Sequence, residues 1–318
     1  MRLKNIISVI MPAALVILRC YDFALAENAA GTSAYQFLEL GVGARPSAMG
    51  EAFSAVSGDV NAVYWNPAGL AGLERPELSM THALWLQDIT YSNIVYGRPA
   101  LGGIVGAAIN RLATGNIQKA DNTGTRLAES YGMSDTMGLV SYTREWRRFS
   151  FGANLKYILS RIEDENSHSY AADMGALYSG LRPWGRKLSL GLSLQNAGTK
   201  AKYVAEKNSL PVIIRAGCSM EIFRDLLVAS DLIRVESDTD LHAGMEYSRA
   251  IGSLVLTARG GYKDDTVKEL GSLSGLTAGL GIKWSDYQLD YAWNSFTDLG
   301  ITHRFSLSIK FGRPDIRL

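Results

Sequence analysis

From residue 77 to residue 311 the chain alternates between apolar and polar side chains. In 305–311, Phe305, Leu307, Ile309 and Phe311 are separated by Ser306, Ser308 and Lys310. In 276–284, Leu276, Ala278, Leu280, Ile282 and Trp284 alternate with Thr277, Gly279, Gly281 and Lys283. Phe149, Phe151, Ala153, Leu155, Tyr157 and Leu159 set the same rhythm, as do Leu188, Leu190, Leu192 and Leu194, and the segments 241–248 and 287–294 repeat it. Successive side chains of a strand point to opposite faces, so each segment has one apolar and one polar face.

Fourteen such segments are read, near 77–86, 89–98, 100–111, 134–146, 149–161, 168–179, 187–196, 211–221, 225–234, 240–249, 253–262, 274–284, 286–295 and 302–312. They are about ten residues long, the length of a tilted membrane strand. Fourteen is even, as single-chain bacterial barrels require. Trp85, Tyr96, Trp146, Tyr178, Tyr247, Tyr262, Trp284 and Trp293 sit near segment ends, where interfacial girdles form. Glycines recur on the polar faces. Tight turns around Gly97-Arg98-Pro99, Arg147-Arg148 and Ser285 alternate with long hydrophilic loops at 112–133, 197–210 and 263–272. A soluble β-sandwich also alternates, but this chain lacks continuously apolar strands for a dry core and closes on an alternating strand ending in Phe311. The prediction is all-β: a transmembrane β-barrel of about 14 antiparallel strands over 77–318.

The N-terminal quarter departs from this rhythm. Residues 1–26 read as a signal peptide: Arg2 and Lys4 precede an apolar core from Ile6 to Leu18, and Ala24-Leu25-Ala26 supplies a cleavage pattern. The apolar run is too short for a bilayer of roughly 30 Å. Arg19 before Cys20 argues against a lipoprotein, and the mature chain keeps one cysteine, Cys218, with no metal-ligand spacing near it. Residues 27–76 are dense in glycine and alanine without alternation, and read as a hatch or plug inside the lumen. Asn66-Pro67-Ala68-Gly69 is a turn signal in which glycine can supply positive φ. Residues 59–65 fit a short helix capped by Asp59.

Two runs in this segment, Gly43-Ala44-Arg45-Pro46-Ser47-Ala48-Met49-Gly50-Glu51-Ala52-Phe53 and Asp59-Val60-Asn61-Ala62-Val63-Tyr64-Trp65-Asn66-Pro67-Ala68-Gly69-Leu70, closely resemble the start of the PorV/PorQ family of outer-membrane proteins, part of the larger FadL-like group. The resemblance continues at Asp231-Leu232, at the strand Leu241 to Tyr247 and at Leu299 to Arg304. It implies a fourteen-stranded barrel with an internal hatch, located in the bacterial outer membrane. It implies no cofactor and one of two non-enzymatic roles. The first is passive transport of hydrophobic small molecules, with a pocket beside the hatch and a gap in the wall. The second is cargo handling in a type IX-like secretion system, where the partners are cargo or secretion proteins and the long loops do the work. Outer-membrane lipid is a partner in either case. A structural or adhesion barrel is the blander alternative.

The motif residues Gly43, Arg45, Gly50, Asp59, Asn61, Asn66, Pro67 and Gly69 are expected to shape the plug. Arg45 needs a carboxylate if buried; among the lumen-facing polar residues Asp231, His242, Glu246 and Asp290, the three acids are its candidate partners. A net charge of +1 excludes nucleic acid as a partner, since phosphate binding needs a basic excess. A mean hydropathy of +0.01 suits a barrel, whose polar lumen dilutes its lipid face. The four histidines show no paired metal spacing, and no nucleophile elbow or phosphate loop is present. A Ser/His dyad built across strands from His242 and Ser248 is the residual enzyme reading.

Overall fold

The computed structural model describes residues 33–312, except 87–88, 116, 122, 164, 204–205, 266, 268–270 and 272. The signal peptide expected at 1–26, the first residues of the 27–76 segment and the tail beyond 312 lie outside the described residues.

All fourteen expected strands form. They are β1 (Glu77–Leu84), β2 (Thr90–Ala100), β3 (Gly103–Ala113), β6 (Met133–Trp146), β7 (Phe149–Ile162), β8 (Glu165–Leu181), β9 (Leu188–Gly198), β12 (Ile213–Phe223), β13 (Leu226–Val235), β14 (Asp238–Ile251), β15 (Leu254–Lys263), β16 (Leu276–Trp284), β17 (Tyr287–Ser295) and β18 (Ile301–Lys310). Each pairs antiparallel with its neighbours, and β1 pairs with β18 from Glu77↔Lys310 to Leu84↔His303, which closes the barrel. Closure leaves no sheet edge with unpaired backbone groups. Two loops expected to be plain carry two-stranded hairpins instead. One pairs β4 (Ile117–Ala120) with β5 (Arg126–Tyr131), the other β10 (Ala201–Tyr203) with β11 (Glu206–Asn208). Pairs this short make too few alternations to register as period-2 segments.

The faces are inverted relative to a soluble protein. On β7, Phe151 and Leu155 are 51% and 67% exposed, while Asn154 and Lys156 between and beside them are buried. On β16 and β18, Leu280, Ile282 and Phe305 face outward and Thr277, Arg304 and Ser306 face inward. An exposed leucine forgoes about 1.5–3 kcal/mol of burial in water; a full ring of such positions suits only a hydrocarbon surround. Trp85 departs from the expected girdle. Its ring packs on Phe296 at 5.4 Å and beneath the Arg304 guanidinium at 5.0 Å, inside the barrel mouth.

Residues 33–73 run through the interior of this barrel. They contain only short helical turns: Gln36–Glu39, Ala44–Ala48, Ala62–Trp65 and Pro67–Gly72. Most of their backbone therefore needs partners from elsewhere, because a buried, unpaired N–H or C=O is costly. The inward polar positions of the strands supply them. Ser306 Oγ accepts from Ala44 N at 2.8 Å, Thr277 Oγ1 from Gly50 N at 3.0 Å, and Asp231 Oδ2 from Phe53 N and Ser54 N at 3.0 and 2.9 Å. Ser219 donates to Ala55 O, Asn154 to Val63 O and Thr143 to Pro67 O. Part of the polar half of the alternation thus serves as hydrogen-bond partners for one internal segment.

Glycines on the wall let that segment approach. Four pairs stand directly opposite each other on adjacent strands: Gly97↔Gly106, Gly152↔Gly175, Gly191↔Gly217 and Gly244↔Gly261. A Cβ at Gly244 would lie 2.2 Å from Met49 O, and one at Gly261 would lie 2.1 Å from Gly50 N. Gly50 itself has φ +60, a conformation other residues adopt only at a cost. Gly69, by contrast, does not use positive φ; a Cβ there would strike Val56 O at 2.7 Å. The helix expected over 59–65 starts later, at Ala62, and Asp59 is not its cap: its Oδ1 accepts from Asn61 N and Nδ2. Gly261→Val is expected to leave a barrel that keeps its heat-dependent gel mobility, while trypsin gains access to Arg45; an Arg45 bond as resistant as in the unmodified protein would show that the segment seats without that indentation.

Candidate functional site

The interior is organised by a chain of charges. Arg45 forks onto Glu246, with Nε and Nη2 each 2.7 Å from a carboxylate oxygen, and its Nη1 reaches Asp59 at 3.0 Å. Arg259 continues the chain, donating to Glu246 at 2.7 Å and to Asp290 at 2.7 Å. Asp59 in turn holds Asn61. Of the three carboxylates proposed for Arg45, Glu246 binds it. Asp290 is one arginine further away. Asp231 is already committed to two backbone N–H groups of the internal segment.

The remaining motif residues are local architecture. Gly43 has φ +89 and its carbonyl accepts from Ser47 N at 3.2 Å. Asn66 is fully buried; its Nδ2 donates to Ser54 O at 2.7 Å and Ala176 O at 3.1 Å, and its Oδ1 accepts from Ala68 N. Pro67 opens the helical turn that Asn66 caps. The Ser/His dyad is not assembled: Ser248 bonds Thr257 at 3.0 Å, while His242 Nε2 faces Asp265 at 3.6 Å. Among the described residues no group of three or more His, Cys, Asp or Glu is placed to hold a metal ion.

Two cavities flank the internal segment over the same three strands, β12 to β14. The larger, about 560 Å³, opens at the end that carries the long loops. Its apolar wall includes Trp85, Ile213, Ile233, Val235 and Phe296, and Leu40, Gly41 and Glu51 of the internal segment also line it. Arg215, His242 and Lys263 line its polar side together with the carboxylates Glu39, Glu236, Asp238, Asp240 and Asp265. Arg215 is buried over the Trp65 ring at 4.9 Å, bonds Gln195 through Nε at 3.2 Å, and has no hydrogen-bond partner at Nη1. The smaller cavity, about 230 Å³, lies at the short-turn end and reaches Arg45 and Glu246. Between them the segment crosses the wall at Met49 to Ser54, against Gly217, Asp231 and Gly244. Arg215, Arg259 and Lys263 were not singled out from the sequence. The signal for them is a charge at an inward position of a membrane strand, which is rare unless it serves a pathway or a pair.

At the mouth, burial pushes the Glu39 carboxyl up to about 7, helped by the neighbouring Glu236. Among the described residues no break in strand pairing marks a gap in the wall. Every neighbouring pair of barrel strands is hydrogen-bonded, and register shifts occur only between β8 and β9 and between β12 and β13.

No family model matches the chain. A UPF0164 protein of Treponema pallidum (strain Nichols) is 25% identical over 186 residues, 52% of this chain and 44% of that protein. Among solved structures, the CymD monoaromatic hydrocarbon channel aligns with a TM-score of 0.59 at 13% identity, covering 86% of this chain and 98% of that one. The Pseudomonas putida toluene transporter TodX gives 0.58 at 10%, covering 84% and 96%. A Pseudomonas aeruginosa FadL homologue gives 0.51 at 10%, covering 82% and 96%. At these identities the likeness is one of fold: the chain has the architecture of FadL-type outer-membrane channels.

Two outcomes are expected. Arg45→Met leaves Asp59 and part of Glu246 uncompensated and costs about 3 kcal/mol; combined with Glu246→Leu in a double-mutant cycle, it shows a coupling of about 1–3 kcal/mol, and strictly additive losses would mean the fork contributes nothing. Because the folded pKa of Glu39 is raised, its protonated form stabilises the native state below pH ~4.5, and that contribution is lost as pH rises through about 7. Glu39→Gln is therefore expected to raise the urea midpoint at pH 8, with the gain vanishing at pH 4.5; an equal midpoint at pH 8 would place the carboxyl in water.

Proposed function

We propose that the protein is a non-enzymatic outer-membrane channel for passive uptake of small hydrophobic or amphipathic molecules. The long-loop end faces outward and the short turns face the periplasm, in keeping with the expected signal peptide at 1–26 and with the usual loop asymmetry of such barrels. The observation that carries this reading is the mouth cavity of about 560 Å³, apolar on one wall, lined by charges of both signs on the other, and floored by the internal segment. Its size suits a small ligand. The names of the structural neighbours, hydrocarbon channels and a toluene transporter, are consistent with apolar cargo.

In this reading residues 33–73 are the hatch, and the barrier is the stretch Met49 to Ser54 that separates the two cavities. Asp231 holds that stretch by two N–H bonds, and Arg45 ties its N-terminal side to the wall through Glu246. A solute reaching the lower cavity meets Ser219, Glu221 and Ser248 and then the short-turn end. Motion of one strap between two preformed chambers asks for far less rearrangement than expulsion of the whole hatch.

The PorV/PorQ resemblance of the motifs leaves secretion cargo handling as the second reading. The hairpins β4–β5 and β10–β11, standing in the long loops, would then be the working surface.

Native mass spectrometry of the protein extracted from its own membranes in mild detergent separates the two. A retained lipid-sized ligand is the expected result; a stoichiometric protein partner without ligand would replace transport by cargo handling. In planar bilayers Asp231→Asn is expected to raise mean conductance several-fold through a weaker acceptor at the same shape, whereas unchanged conductance would move the barrier elsewhere.

A further inference from the structure

The two rims of the barrel carry opposite charge. At the short-turn end, three turns that neighbour one another around the barrel connect β6 to β7, β8 to β9 and β12 to β13. Within residues 146–149, 181–188 and 223–226 they hold Arg147, Arg148, Arg182, Arg186, Lys187 and Arg224 against a single carboxylate, Asp225. That carboxylate faces Arg249 at 3.5 Å, and Lys187 faces Glu221 at 3.6 Å. The five arginines are exposed. The opposite rim is acidic, with Glu163, Glu165, Glu236, Asp238 and Asp264 at its turns.

The cations do not stand alone. Trp184 is 88% exposed at the tip of the turn Pro183–Gly185 between Arg182 and Arg186, and its φ of 50 is one that a bulky residue adopts only under constraint. Trp146 and Phe223 are 62% and 59% exposed at the feet of lipid-facing strands. The Arg147 guanidinium lies over the Trp146 ring at 5.4 Å and that of Arg186 over Phe223 at 5.2 Å. Arg148 bridges two turns by donating to Gly180 O at 3.1 Å. Aromatic rings prefer the headgroup level of a bilayer, so guanidiniums stacked on them are pinned at the depth where lipid phosphates lie. Arginine is also the side chain best shaped to fork onto a phosphate.

We propose that this arc of the short-turn rim is a binding surface for anionic phospholipid of the adjoining leaflet, its phosphates held by Arg147, Arg148, Arg182, Arg186 and Arg224 and its acyl chains lying on the aromatic feet of β6 to β12. A soluble anionic partner would not need the exposed Trp146, Trp184 and Phe223 among these cations. The surface lies outside the cavities, so it stands whether or not the barrel transports a solute.

The test uses the full-length protein in nanodiscs of equal phosphatidylcholine and phosphatidylglycerol, with native mass spectrometry counting the lipids retained on release. The wild type is expected to retain phosphatidylglycerol over phosphatidylcholine by about tenfold, the scale of one or two cation–headgroup contacts. R147Q/R148Q/R182Q/R186Q/R224Q is expected to fall to parity, while R126Q/R161Q at the opposite rim keeps the preference. If the fivefold variant does not fold, R182Q/R186Q alone is expected to lose at least half of it. Parity in the wild type, an intact preference in the folded rim variants, or an equal loss in R126Q/R161Q would each overturn the assignment.

Discussion

An internal segment with little secondary structure of its own can exist only where other groups satisfy its backbone. In this barrel that requirement shapes the wall. Inward serines, threonines, asparagines and Asp231 are placed where carbonyls and N–H groups of residues 44–67 arrive. Paired glycines remove side chains where backbone must touch backbone. Part of the polar half of the strands is thus explained by its partner inside, part by pairs within the wall such as Asn93–Asn110 and Lys156–Asn196, and the apolar half by the lipid outside. The two halves of a period-2 pattern answer to two different environments.

The charges follow the same logic. A carboxylate such as Glu246 is tolerable inside a membrane barrel only because two guanidiniums, Arg45 and Arg259, converge on it. One comes from the internal segment and one from the wall, so the same ions that lower the burial cost also register the segment against the barrel. The cavities lie where this packing is loose, along β12 to β14. Beyond β9, on β7 and β8, the Asn66–Pro67 turn packs tightly against Gly152 through its backbone and against Gly175 through its side chains.

The strands were legible in the sequence because alternation is a local property and membrane strands repeat it for many residues. The internal segment was legible as a departure from alternation, but its conformation was not. Asp59 reads as a helix cap by residue type, yet it is drawn into an Asn61 turn and the Arg45 pair, and the helix starts without it. The partner of Arg45 was narrowed to three acids by inward-facing parity; only the third dimension shows that Asp231 is occupied by backbone and that Asp290 belongs to Arg259. Trp85 read as a girdle residue because position along a strand says nothing about which way the ring turns once the strand has ended. Arg215 and Arg259 sit inside the expected segments 211–221 and 253–262, and Lys263 opens the expected loop 263–272, so local rhythm marks none of them.

The seam between β1 and β18 joins the two ends of the barrel sequence, and the internal segment precedes β1 in the chain. Its contacts with the last strands are among the longest-range in the molecule: Ala44 and Ser306 are 262 positions apart, and Gly50 and Thr277 are 227 apart. Such contacts form late, because the entropy of closing a long loop must be met before they stabilise anything. The segment precedes in the chain the last strands that hold it, so these contacts need those strands to be in place. Without the segment, the inward hydroxyls and the Asp231 carboxylate would meet lumen water in place of its backbone N–H and C=O groups.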